Sequence, residues 1–77
     1  MNRYVYARVL FGWSIFDTSA TPAAAVASVF DRCDLHPTDA MAARDAGDRQ
    51  AKLICELLNR DHEMRVAVDE ATRRGGA

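Results

Sequence analysis

Between Asp45 and Arg74 an acidic residue stands four places ahead of a basic one six times over: Asp45–Arg49, Asp48–Lys52, Glu56–Arg60, Asp61–Arg65, Asp69–Arg73 and Glu70–Arg74. A helix brings residues four apart onto one side, and this order of signs is the favourable one, worth about 0.2–0.5 kcal/mol per exposed pair. Ala46, Gln50, Leu53, Ile54, Leu57 and Leu58 form a matching stripe, which skips Arg60 and Asp61 and resumes at Met64, Val68 and Ala71. The last third of the chain is therefore expected to be helical, with Leu53, Ile54, Leu57 and Leu58 in the core. One unbroken helix over this stretch would be roughly 45 Å long at 1.5 Å per residue. That exceeds the width of a small domain. Either Asn59–Asp61 divides the helix, or its end projects and packs on another chain. Gly75-Gly76 ends it.

The N-terminal segment obeys a different period. Val5, Ala7, Val9, Phe11, Trp13 and Ile15 are apolar at alternate positions, while Tyr4, Tyr6, Arg8, Leu10, Gly12, Ser14 and Phe16 are mixed. Period-2 alternation in a segment rich in β-branched and aromatic residues reads as a half-buried strand. Gly12 marks a turn or a bulge, so the segment is one long bent strand or two short ones. Phe11-Gly12 is a poor two-residue turn, because a type I′ turn needs positive φ at both positions and Phe resists it. On this period Tyr4, Tyr6, Arg8 and Phe16 share the face opposite the core. Tyr and Arg are enriched at binding hot spots, so these four are the candidate partner-binding residues. The competing reading is that a second layer or a dimer covers them.

Thr18-Ser-Ala-Thr-Pro22 breaks the chain. The alanine-rich stretch that follows has two readings. As a helix, Thr21 caps it, Pro22 takes the first helical position, and Val26, Val29, Phe30 and Cys33 share a face. As a strand, Ala25 to Phe30 supplies the pairing partner that an N-terminal strand needs. The second reading is preferred. Asp31 to Thr38 reads as a loop, with Thr38 capping a short helix through Ala46. The expected fold is α+β, a small antiparallel β-hairpin or meander packed against one or two C-terminal helices; the alternative is a small all-α bundle. With 77 residues the chain holds one domain, residues 1–77, small enough to gain from a partner or from self-association.

The chemistry-bearing residues point away from catalysis. Cys33-x2-His36 and Cys55-x6-His62 could be assembled into a zinc site, but the second spacing does not fit and Cys55 sits among apolar residues. Asp31, Asp34, His36 and Asp39 crowd one loop without the EF-hand spacing or its glycine. No metal is expected. Neither GxSxG, a P-loop nor GxGxxG occurs, and so short a chain has little room for an enclosing pocket. No catalytic residue and no cofactor are expected. The net charge is −1, whereas phosphate binding calls for a basic excess, so nucleic acid is not the expected partner. The apolar run from Tyr4 to Phe16 is broken by Arg8 and Gly12 and is too short to span a bilayer. The chain reads as cytoplasmic, with reduced thiols and no membrane partner.

Trp13-Ser-Ile15-Phe-Asp17 has the form W-x-[VI]-x-D, and Ala51-Lys-Leu-Ile54-Cys-Glu-Leu57-Leu58-Asn59 the form A-x-x-I-x-x-L-L-N. In this order the two resemble a type of small phage and prophage protein with a short hairpin followed by a helix. Some proteins of similar appearance are anti-CRISPR inhibitors, which block an effector by occupying its surface. The resemblance implies a mobile-element origin and a host protein or protein complex as partner, bound by steric occlusion, with a homodimer left open. It assigns no role to any residue. The rival reading is a small dimeric DNA-binding regulator. That would require Arg44, Arg49, Lys52 and Arg60 to form a face free of acids, which the interleaved Asp and Glu oppose.

Overall fold

The computed structural model describes residues 2–75. The first apolar segment is a tight hairpin of strands β1 (Tyr4–Val9) and β2 (Gly12–Asp17), joined by Leu10 and Phe11. Phe11 takes the positive φ, 61°, that its side chain opposes. Its carbonyl accepts the Asp31 amide at 3.0 Å, which ties the turn to the chain beyond the sheet. The alanine-rich stretch is a strand, β3 (Ala24–Phe30), and the sheet is an antiparallel meander in the order β1-β2-β3. A bulge at Ile15/Phe16 leaves Val26 opposite neither, since Ile15 pairs with Ala27 and Phe16 with Ala25. One helix follows, α1 (Ala40–Gly75), so the fold is α+β.

The two-residue turn corrects the reading of the faces. Tyr4 pairs with Asp17, Tyr6 with Ile15 and Arg8 with Trp13, so positions of opposite parity stand side by side. Tyr4, Tyr6 and Arg8 therefore join Trp13 and Ile15 on one face. Val5, Ala7 and Val9 join Phe16, Ser14 and Gly12 on the other. Tyr4 and Tyr6 pack against the core, and only Phe16 of the four expected surface residues faces away from it. A single unbroken parity, as expected from the alternation, would hold only for one continuous strand.

The helix begins one residue later than expected. Asp39, not Thr38, caps it: the Asp39 Oδ1 accepts the Ala42 amide at 3.0 Å. It runs unbroken through Asn59–Asp61, with Arg73 and Arg74 at the C-terminal end where the helix dipole favours cations. Two of the six expected pairs close, Asp61–Arg65 and Asp69–Arg73, both at 3.0 Å. The expected core stripe needs a second correction. Leu53 and Leu57 are more than half exposed, while the buried line is Ala43, Gly47, Ala51 and Cys55, flanked by half-buried Ile54 and Leu58. The sheet supplies the bulk, from Trp13, Ile15 and Val29, and the helix approaches closely along small residues spaced four apart. At Gly47 an added Cβ would stand 3.2 Å from the Phe30 carbonyl oxygen and 3.4 Å from Trp13 Cδ1.

From its start beside Phe30 the helix crosses to the edge of β1. There the Asn59 side chain clasps the Tyr4 backbone, accepting its N–H at 2.8 Å and donating to its carbonyl at 3.0 Å. The edge strand thus finds a partner for one of its outward-pointing residues. From Glu63 to Gly75 every helical residue is exposed, a projection of roughly 20 Å at 1.5 Å per residue. The molecule measures 60 × 25 × 16 Å.

Candidate protein-binding surface

The helix covers one face of the sheet and leaves the other bare. On the covered face, charged groups close the corners of the core. Arg8 chelates Asp31, with one contact of 2.9 Å, and lies 5.3 Å above the Trp13 ring. Arg3 grips Asp17 with two bonds of 3.0 Å, and Asp17 also accepts from the Ser19 amide and hydroxyl. These donors hold the Asp17 carboxyl far below the usual carboxylate range, with the Arg3 hydrogen bonds the largest cause. Arg8 lowers Asp31 in the same way, and Arg32 holds Asp34 at about 2.

A pH dependence follows. A carboxyl whose pKa is lower when folded contributes stability above its unfolded value and loses it as pH falls through that value toward the folded one. Stability is therefore expected to be level from pH 7 to about 4.5, then to fall steeply below about 4. Melting followed by circular dichroism from pH 7 to pH 2 checks this, and Asp17→Asn should both lower the plateau and flatten the slope.

Of the candidate metal and cation ligands, the three aspartates and Cys55 have other partners. Asp31 and Asp34 are paired to arginines and Asp39 caps the helix. Cys55 is buried and its thiol donates to the Tyr4 carbonyl at 3.2 Å, while Cys33 is exposed. Burial pushes the Cys55 thiol up, with Glu56 adding to it. Among the described residues no three His, Cys, Asp or Glu side chains converge as metal ligands. Tyr6 is also raised, by burial first and then by the Asp48 carboxylate. The Trp13 Nε1 is buried without a hydrogen-bond partner among the described residues.

The opposite face is built from Val5, Ala7 and Val9 on β1, Phe16, Ser14 and Gly12 on β2, and Ala25, Ser28 and Phe30 on β3. No charged side chain stands among them. Val5 and Val9 are exposed, and Phe30 is 72% exposed. The turn extends the surface with Leu10 at 81% and Phe11 at 70%, and bulged Val26 adds to the β3 side. Three strands about 4.8 Å apart and six residues of about 3.3 Å each give a sheet area on the order of 300 Å² before the turn is added. Monomeric proteins rarely leave larger contiguous apolar patches bare unless something binds there.

Of the four expected site residues, Phe16 lies on this open face, half-buried between neighbouring strands. Tyr4, Tyr6 and Arg8 lie on the covered one. Tyr4 and Tyr6 line a groove between β1 and the helix with Lys52, Glu56 and Asn59, whereas Arg8 lies apart from it, paired with Asp31. Val5, Val9, Phe11 and Phe30 were assigned to the core or to neither face by alternation alone. The turn Leu10–Phe11 is the signal that could have found them, because a two-residue loop inverts the parity of the second strand.

Along the helix, Arg44, Asp48, Lys52, Glu56 and Arg60 follow one another at every fourth residue. The basic residues thus share their line with acids. Among the described residues no helix is long and apolar enough to cross a membrane. No protein-family model, curated protein or solved structure matches the chain.

Proposed function

We propose that this chain is a protein-binding module that works by occupying a surface of a host protein, as a steric inhibitor does. One observation carries the reading: an uncharged apolar sheet face, from Val5 and Phe16 to Phe30, that the chain's own helix leaves uncovered. The turn supports it. Glycine would satisfy the second turn position without strain, yet the chain places Phe11 there at positive φ. Backbone strain of this kind, roughly 1–2 kcal/mol, is commonly kept where it serves binding. The partner that fits is itself apolar at the contact and needs no charge complement. The free thiols of Cys33 and Cys55 support an encounter in a reducing compartment such as the cytoplasm. The alternating line from Arg44 to Arg60 gives a DNA backbone no continuous basic face, so the regulator reading gains no support.

Capture from a bacterial lysate tests the reading. Val9→Asp combined with Phe30→Asp should abolish retention of any protein that the wild-type chain retains, a loss of at least tenfold. The double variant should keep its circular dichroism spectrum, because both side chains point away from the core. Arg49→Ala with Lys52→Ala, on the helix, should retain the same protein. Retention by the sheet variant and loss by the helix variant would place the surface on the helix instead.

A further inference from the structure

The helix carries a second uncovered apolar line, separate from the open sheet face. Leu53, Leu57, Met64 and Val68 are each more than half exposed, and Ala71 continues the row. At about 100° per residue Leu53 and Leu57 stand about 200° beyond Ala51 and Cys55, or about 160° around the helix from that buried line. Over this stretch the line therefore turns away from the sheet. Spacings of four and three place Leu57, Asp61, Met64, Val68 and Ala71 at alternating a- and d-type positions, the seam of paired helices. A shallow groove along it is lined by Asp61, Met64, Arg65, Val68, Asp69 and Thr72.

We infer that this seam binds a second copy of the chain, with the two helices antiparallel about a two-fold axis near residues 62–63. The charges choose both the occupant and the direction. In the antiparallel arrangement Leu57 meets Val68 of the second copy, and Asp61 lies beside Arg65 of the second copy. Symmetry repeats both contacts, so the existing Asp61–Arg65 pair becomes a closed four-membered cluster. A parallel arrangement sets Asp61 against its own copy and Arg60 against Arg65, which like-charge repulsion disfavours. The sheet leaves room, because Leu53 and Leu57 turn away from it, and Gln50, at the head of the seam, bonds Arg32 at 2.6 Å on the β3 side. The need is also apparent, since the projection from Glu63 has a length at which an isolated helix is marginal in water.

Sedimentation of the full chain between about 1 and 100 µM tests this, a range that covers modest affinities. The expected mass is twice 8.5 kDa at the upper end. A monomer throughout would overturn the inference. Arg65→Asp should weaken the dimer about tenfold or more, because it faces Asp61 of the second copy. An unchanged dimer would overturn the charge cluster. A tighter one would overturn the antiparallel direction, since Arg65→Asp relieves the Arg60–Arg65 repulsion of a parallel pair. Asp61→Arg combined with Arg65→Asp should restore the wild-type dimer, and failure to do so in a folded double variant would also count against the cluster. None of these residues belongs to the open sheet face, so the outcome is independent of lysate capture.

Discussion

Gly12→Ala should lower the melting temperature by about 10 °C or more, corresponding to a loss of about 2–3 kcal/mol. Gly12 pairs with Val9 on one side and Phe30 on the other, at the point where β2 leaves the turn. A Cβ built there would stand 2.3 Å from the Val29 carbonyl oxygen and 3.1 Å from the Phe30 Cα. Both are backbone atoms and cannot swing aside as a flexible side chain would. The methyl group must push β3 away from β2, which disturbs the placement of Val29 in the core. Gly12 is among the buried residues, so solvent offers no escape. Thermal melting by circular dichroism checks the claim. A shift under about 3 °C, well below 1 kcal/mol for a chain of this size, would mean that β2 and β3 are farther apart than described.

Ile15→Ala should cost about 2–5 kcal/mol, as for other buried aliphatic side chains cut to alanine. Ile15 has no exposed surface and is the largest side chain to be so enclosed. It contacts the cluster formed with Val29, Ala51 and Cys55, with Tyr6, Trp13 and Leu58 around it. The helix side of that cluster is alanine and a cysteine, held at a fixed backbone distance. Little there can collapse into the vacated space, which favours the upper part of the range. Small domains have about 5–15 kcal/mol in total, so the loss is a large fraction of it. Urea denaturation read by Trp13 fluorescence measures it. A change below about 1 kcal/mol would show that the centre of the core lies elsewhere.

The helix was legible because its signal is local. Charge pairs four apart state the period directly, and neither the sheet nor the loops need be known. Its continuity through Asn59–Asp61 was not legible from the stripe, which lapses there; Asn59 faces the Tyr4 backbone across most of the chain, a contact that the local pattern does not show. The strand character of Ala24–Phe30 ran against alanine's helix propensity and came from the need of β2 for a second neighbour. Face assignments failed for two physical reasons. A two-residue turn reverses parity, so one alternating pattern was split between core and surface. The rule that bulky apolar residues face the core also assumes that the helix fills the space. Here Trp13 and Ile15 fill it from the sheet, and the helix answers with Ala43, Gly47, Ala51 and Cys55. A glycine in mid-helix with small residues four before and four after was the available sign of close approach. Of the expected site residues, Phe16 alone stayed on a bare face, for the same reason of parity.

Side-chain footprinting by radical oxidation tests the central claim most directly, that the bare sheet face is the docking surface. It needs no substitution and reads each aromatic ring separately. In the free chain Phe11 and Phe30 should label readily, whereas Tyr6 and Trp13, packed on the core beneath the helix, should label weakly. In the complex captured from lysate, Phe11 and Phe30 should lose most of their labelling while Met41, exposed at the start of the helix, keeps the level it has in the free chain. Phe30 protected already in the free chain would show that the sheet face is covered by the chain itself or by a second copy. Phe30 labelled equally in the free chain and in the complex would show that the partner docks elsewhere.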